Sequence, residues 1–285
     1  MTATAVRPTS LAAPKLSFGG VLRSEWIKLV TLRSTLWSLG LIVLLSLAIG
    51  LLMAATFTLG SDAEGNAIRP DEDSARTLAL LVCTVGLNFG QLIAAVLGVL
   101  VVSGEYSTGM IKSSLAAVPR RLPVLWAKAI VLFVSTTVVG LVTVLTVFLA
   151  TAPLREPKGL DASLLDPEFA LALGGGALYL GLVAVFALGL GTLIRSSAGG
   201  IAAALGAILV LPVVFELFAM IAEWARDLMP YLISNAGSLM FSIPQDVPDG
   251  AEVTSLSPGV ATLVVLSWAA VALALGAVAL RRRDA

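Results

Sequence analysis

Residues 169–194 read FALALGGGALYLGLVAVFALGLGTLI, without one charged side chain. As a helix, a run of this length covers about 39 Å, more than the roughly 30 Å hydrocarbon core of a bilayer. In lipid every backbone N–H and C=O must be bonded internally, so the run is expected to be helical. Apolar and polar residues do not alternate here, which excludes a barrel strand. Arg195 follows, then Ser196-Ser197-Ala198-Gly199-Gly200 and a second apolar run over 196–215. One helix through both runs would be about 70 Å long. The charge and the two glycines instead predict a tight turn at the membrane surface, between two spans.

Working outward, four more charge-free runs cover 34–61, 77–104, 129–154 and 253–280. The expectation is an all-α integral membrane protein with six transmembrane helices, at about 36–58, 78–103, 127–151, 169–194, 197–217 and 257–280. Composition agrees: the chain is 58% hydrophobic and 13% charged, against roughly 25% charged for a soluble domain. Its mean hydropathy is +0.99. A water-soluble globular protein is excluded. Residues 18–285 read as a single transmembrane domain, and 1–17, rich in Thr, Ala, Pro and Ser, as a disordered N-terminus with no signal-peptide core. The linkers 60–76 and 153–168 are polar and proline-bearing. Segment 216–252 is partly apolar and is expected to lie at the outer surface as a helix, or to enter the membrane partway before Pro230.

Six spans place both termini on one side. That side would hold Arg7, Lys15, Arg23, Lys28, Arg33, Lys112, Arg120, Arg121, Lys128, Arg195 and Arg281–Arg283, which is 13 of the 18 basic residues. The positive-inside rule makes it cytoplasmic. The formal net charge of zero hides this asymmetry, because fifteen of the 18 acidic residues fall toward the other side.

Several chemistries are absent from the sequence. There is no histidine, so imidazole catalysis and His-ligated metal are excluded, and the lone Cys83 forms no intrachain disulfide or metal cluster. The pattern G-x-x-x-x-G-K-[ST] does not occur, so no nucleotide phosphate cradle is expected. With zero net charge, no global field draws the chain to nucleic acid. The glycines of 174–191 suit close helix packing in lipid.

Two cytoplasmic pieces stand out. In 18–33, Phe18, Val21, Leu22, Trp26, Leu29 and Arg33 follow helical spacing, while Arg23, Ser24, Lys28 and Thr31 fall opposite. This predicts an amphipathic interfacial helix with Trp26 at headgroup level. Glu25 lies on the apolar arc, so it requires a cationic partner, faces another protein, or snorkels at the stripe's edge. The second piece, 104–121, is the longest cytoplasmic loop. Tyr106, Met110, Ile111 and Leu115 define an apolar face on a short helix from about Ser107 that Pro119 would stop. On the residues alone, an ordinary inner loop with positive-inside charges is the favoured reading. Inside the spans, Asn88 and Gln91 are three apart and share a face, suited either to lining a path or to bonding between helices.

Taken together, Ser24-Glu25-Trp26-Ile27-Lys28-Leu29 with Leu32-Arg33-Ser34-Thr35, Gly104-Glu105-Tyr106-Ser107-Thr108-Gly109-Met110-Ile111-Lys112 continuing to Pro119-Arg120-Arg121 and Lys128, and Pro230-Tyr231-Leu232-Ile233-Ser234-Asn235-Ala236-Gly237 ahead of the last span resemble the ABC-2 type transporter permeases. The resemblance runs in order along almost the whole chain. It implies a bacterial inner-membrane exporter in which two permease subunits, identical or different, form a translocation path among membrane lipids. Each would bind a separate ABC ATPase that supplies ATP and Mg; no cofactor is expected in this chain. By the same resemblance Glu25 and Lys28 belong to a connecting helix. Glu105, Tyr106, Gly109 and Lys112 belong to or flank a coupling helix that contacts the ATPase. The apolar surroundings of Asn88 and Gln91 suit an amphipathic substrate. Two other readings stand beside this one: a non-transporting scaffold or sensor subunit, and an intramembrane lipid-modifying enzyme, which the missing histidine disfavours.

Overall fold

The computed structural model describes residues 17–58, 70–110, 121–243 and 256–282. Among these the elements are α1 (Phe18–Thr31), α2 (Arg33–Thr56), α3 (Glu72–Thr84), α4 (Leu87–Ser107), α5 (Arg121–Arg155), α6 (Pro167–Ile194), α7 (Ser197–Leu205), α8 (Leu211–Ala219), α9 (Glu223–Leu228), α10 (Ile233–Met240) and α11 (Pro258–Arg282). No strand occurs among the described residues. Six helical stretches are long and apolar enough to cross a membrane: α2, α3 with α4, α5, α6, α7 with α8, and α11. The expected all-α architecture with six spans is therefore observed.

α6 is the axis of the bundle. Most of its residues are buried, and it packs along its length against α4, α5 and α11. Asp166 caps its start by accepting from the Glu168 N–H at 3.1 Å, with Pro167 pre-set for the first turn. Its glycines admit neighbouring backbones: Gly189 sits against Ala272 of α11, and Gly191 leaves 3.1 Å between a would-be Cβ and Val99 Cα of α4. Close approach through small residues is how helices associate where lipid supplies no hydrophobic drive. The helix ends at Arg195, which takes a left-handed φ of 59°. Ser196 then caps α7 by accepting from the Gly199 N–H at 3.3 Å. The tight turn read from the sequence is present.

Three spans differ from the expected outlines. The second is interrupted between Thr84 and Leu87, where Gly86 lies so close to the Ser46 backbone of α2 that no side chain fits. The third reaches from Arg121 to Arg155, beyond the expected 127–151. Pro123 falls in its first turn, where a missing N–H costs little. At the other end Arg155 becomes only 3% exposed because its guanidinium finds partners at hand. It donates to Thr151 Oγ1 at 3.1 Å, the Leu160 carbonyl at 3.0 Å and the Phe148 carbonyl at 3.2 Å. In the fifth span a wider π-type turn over Gly206–Val210 separates α7 from α8 just ahead of Pro212. A local change of helix type of this kind accommodates a proline's missing donor.

At the end of the bundle away from α1, Lys158 donates to the carbonyls of Ala54, Ala55 and Phe57 at 2.6, 3.2 and 2.7 Å. It thereby satisfies the last turn of α2. Here the segment after α8 departs from expectation. α9 ends at Leu228, and the chain turns inward after Pro230 rather than before it. Trp268 Nε1 of α11 donates to the Tyr231 carbonyl at 2.9 Å, and α10 then packs on α11 and α6. Gly237 of α10 abuts the ring of Tyr179, twelve residues or about 18 Å into α6. The contact is thus well inside the span.

Candidate functional site

The site grows from one misfit residue. Along α1, Val21, Glu25 and Leu29 recur every four residues and form the buried stripe. It faces α5, where Val124 and Ala127 are buried against Val21. Phe18 and Trp26, expected on the same arc, remain exposed. Glu25 is thus carried into the interior, and it arrives beside two ammonium groups. Lys128 of α5 lies 2.6 Å from Glu25 Oε2 and 3.0 Å from Glu105 Oε1. Lys28 lies 2.7 Å from Glu25 Oε1 and 2.9 Å from Glu105 Oε1.

These four contacts close a ring in which every lysine bonds both glutamates, and the charges sum to zero. Paired and hydrogen-bonded in this way, the charges offset the cost of leaving water. Burial works against the charged form of Lys28, but the hydrogen bonds to Glu25 and Glu105 outweigh it and hold the ammonium above its ordinary value. A lysine so held is a poor proton acceptor. Among the described residues no group of His, Cys, Asp and Glu is placed to hold a metal ion. What the ring does is mechanical: it fastens α1, α4 and α5 to one another.

Glu105 stands in the last turn of α4, which continues through Ser107. Glu105 and Tyr106 therefore belong to the end of the span rather than to a separate loop helix starting near Ser107. Gly109 ends the turn with a φ of +72°, a conformation that a residue with a side chain adopts at a cost. Lys112 and the rest of 111–120 lie outside the described residues, as does the helix expected up to Pro119.

Tyr106 points to a second junction. The Arg195 guanidinium lies 5.2 Å from the centre of its ring, and Arg195 Nη2 also donates to the Ala279 carbonyl of α11 at 3.4 Å. One helical turn earlier, Ser103 Oγ accepts from Ser197 Oγ at 2.9 Å. The end of α4 is thus tied on one side to α1 and α5, and on the other to α7 and α11.

Of the residues singled out in the sequence, Glu25, Lys28 and Glu105 meet, with Tyr106 adjacent. Asn88 and Gln91 lie elsewhere and differ in exposure: Asn88 is exposed, while Gln91 is buried. Gln91 Oε1 accepts from the Tyr179 hydroxyl of α6, and its amide donates to the Asn88 carbonyl at 3.1 Å. Sequence reasoning passed over Lys128 and Arg195 as site residues. The signal for Lys128 was present: Val124, Lys128, Val131 and Leu132 form one buried helical face, so Lys128 is a charge on an apolar face, the same mismatch as Glu25.

The chain belongs to the ABC-2 family transporter proteins, whose family model matches residues 20–285. It is therefore a permease component of an ABC transporter, a transport membrane subunit of the kind that works with an ABC ATPase and is not itself catalytic. No curated protein matches it.

Proposed function

We propose that this chain is the membrane-spanning half of an ATP-driven exporter in a bacterial inner membrane. Two permease subunits enclose the path, and the end bearing α1 and the chain termini faces the cytoplasm. A separate ATPase, holding ATP and Mg, docks on α1 and on the chain leaving α4. The observation that supports this reading is the ionic ring: it anchors the root of the 104–121 loop to α1 and α5. A push delivered there moves three helices together instead of bending a loop. The Tyr106–Arg195 contact extends the same connection to the sixth span, and the Ser103–Ser197 hydrogen bond extends it to the fifth. In this mechanism Glu25, Lys28 and Glu105 transmit force, and Gly109 and Lys112 meet the partner.

The test is a mild detergent pull-down of the tagged chain from its native membrane, with mass spectrometry of what accompanies it. A stoichiometric P-loop ATPase is expected. Lys112→Ala leaves the ring intact and should weaken that association without changing membrane insertion. Recovery of the chain with no ATPase would overturn the reading.

A further inference from the structure

The fifth span changes character at its middle. Its inner half, α7, is fastened to α4: a Cβ on Gly200 would stand 2.7 Å from the Val99 side chain, and Ser197 bonds Ser103. Its outer half, α8, has no buried residue. Over the apolar stretch of the whole span only 11% is buried, against 78% for the fourth. The change falls at the π-type turn Gly206–Val210, nine residues or about 14 Å into the span. Ile208 is buried within that turn and anchors it.

Beyond the turn, α8 and α9 are packed on each other. The Trp224 ring of α9 meets two rings of α8, Phe215 edge-on at 6.0 Å and Phe218 at 6.2 Å. Arg226 Nη2 donates to the Ala219 carbonyl at 3.2 Å and closes the corner between them. On α9 only Ala225 is buried. Residues 211–228 are therefore cohesive inside and almost unpacked outside. Their far root is as firm as the near one, because Trp268 of α11 holds the Tyr231 carbonyl. The two roots adjoin: α10 packs on the π-type turn, and α8 packs on Met229–Tyr231.

A segment with few buried contacts opens at low cost, and hinges are short stretches that absorb the change in φ and ψ. The near root has the composition for this. Pro212 offers no N–H to the carbonyl four residues back, the π-type turn interrupts the regular ladder, and Gly206 is the residue type least committed to a helix. Packing does not demand that glycine, since a Cβ there meets nothing within 4 Å.

We infer that residues 211–228 form a hinged flap at the end of the bundle away from α1, swinging as one piece about the Gly206–Val210 turn while α7 and α10 stay with the bundle. In an exporter such a flap would open and close the outer mouth of the path. The motion itself belongs to this chain and does not rest on the exporter reading.

The test uses the full chain in nanodiscs, without any ATPase. Spin labels are placed at Leu217→Cys on α8 and Leu171→Cys on α6, both exposed, and Cys83 is buried and escapes labelling. Labelled chain is diluted with unlabelled chain, so that each distance is measured within one molecule. Pulsed electron resonance on the frozen sample should give two distances for this pair, and one narrow distance for Ala202→Cys on α7 with Leu171→Cys. Gly206→Ala should shift the Leu217 populations about fivefold toward the arrangement described above, and thermal unfolding should show no loss of stability. A Leu217 distribution as narrow as that of Ala202 would overturn the inference, as would populations unmoved by Gly206→Ala. Two Leu217 distances in a chain that recovers no ATPase would leave the flap standing and the exporter reading overturned.

Discussion

Lys128 Nζ lies 2.6 Å from Glu25 Oε2, joining two helices across 103 positions of sequence. Both residues are almost wholly buried, and neither has water to fall back on. Replacing Lys128 with Met leaves two carboxylates sharing the single ammonium of Lys28. Breaking a buried ionic network from one side costs about 3–5 kcal/mol. Thermal unfolding in detergent should show a large drop for Lys128→Met. The charge swap Glu25→Lys/Lys128→Glu should lie closer to the native protein than either single change.

Adjacent glycines of α6 should respond in opposite ways. A Cβ at Gly174 meets nothing within 4 Å, whereas one at Gly175 collides with the Met240 backbone of α10. Gly174→Ala should be neutral or stabilising by up to about 1 kcal/mol through helix propensity. Gly175→Ala should lower stability and loosen α10, which limited proteolysis near Ile233–Met240 would detect.

The Tyr179–Gln91 hydrogen bond joins α6 to α4 in the middle of the bundle. Interhelical bonds of this kind average about 0.6 kcal/mol, with a ceiling near 1.7. Tyr179→Phe should therefore destabilise by roughly that amount and leave membrane insertion intact. A loss several times larger would show that the hydroxyl has a role beyond joining two helices.

The ring also sets an alkaline limit. Its hydrogen bonds raise Lys28 above the ordinary 10.5. A group whose value is raised in the folded state stabilises fully below its unfolded value, and that contribution is lost as pH climbs through the folded one. The stability gap between the native protein and Lys28→Met should stay flat up to about pH 10 and narrow above it. A gap that widened there would contradict the ionic account.

The spans were legible because an unbroken apolar run in lipid leaves the backbone only one solution. The exceptions arose where a distant contact set the outcome. Nothing local in Val85-Gly86 says that Ser46 will press against it. Nothing in the charge of Arg155 says that its own helix and the Leu160 carbonyl just beyond it will supply the acceptors that bury it. The inward turn of α10 was half legible: its apolar residues were evident, but its insertion depends on Gly237 meeting Tyr179. In the site, Glu25 announced itself as a charge on the wrong face and its need for a cation was predictable. One of its cations, Lys28, stands three residues on along the same helix; the other, Lys128, depends on how α5 stands beside α1, and helical periodicity within one segment carries no information on that. Gly109 was picked out by resemblance, and Tyr106 first as part of an apolar face and then by resemblance. The left-handed turn at Gly109 and the Arg195 contact of Tyr106 explain in physical terms what those two residues do for the local structure.

The seat of Gly237 on Tyr179 leaves no clearance for even a methyl group. Close-packed surfaces of this sort do not slide by small steps; they hold one register or part. α10 is therefore a latch rather than a hinge. Any rearrangement of the far half of the bundle either carries α10 along with α6 as one piece, or lifts it free in a single discrete event.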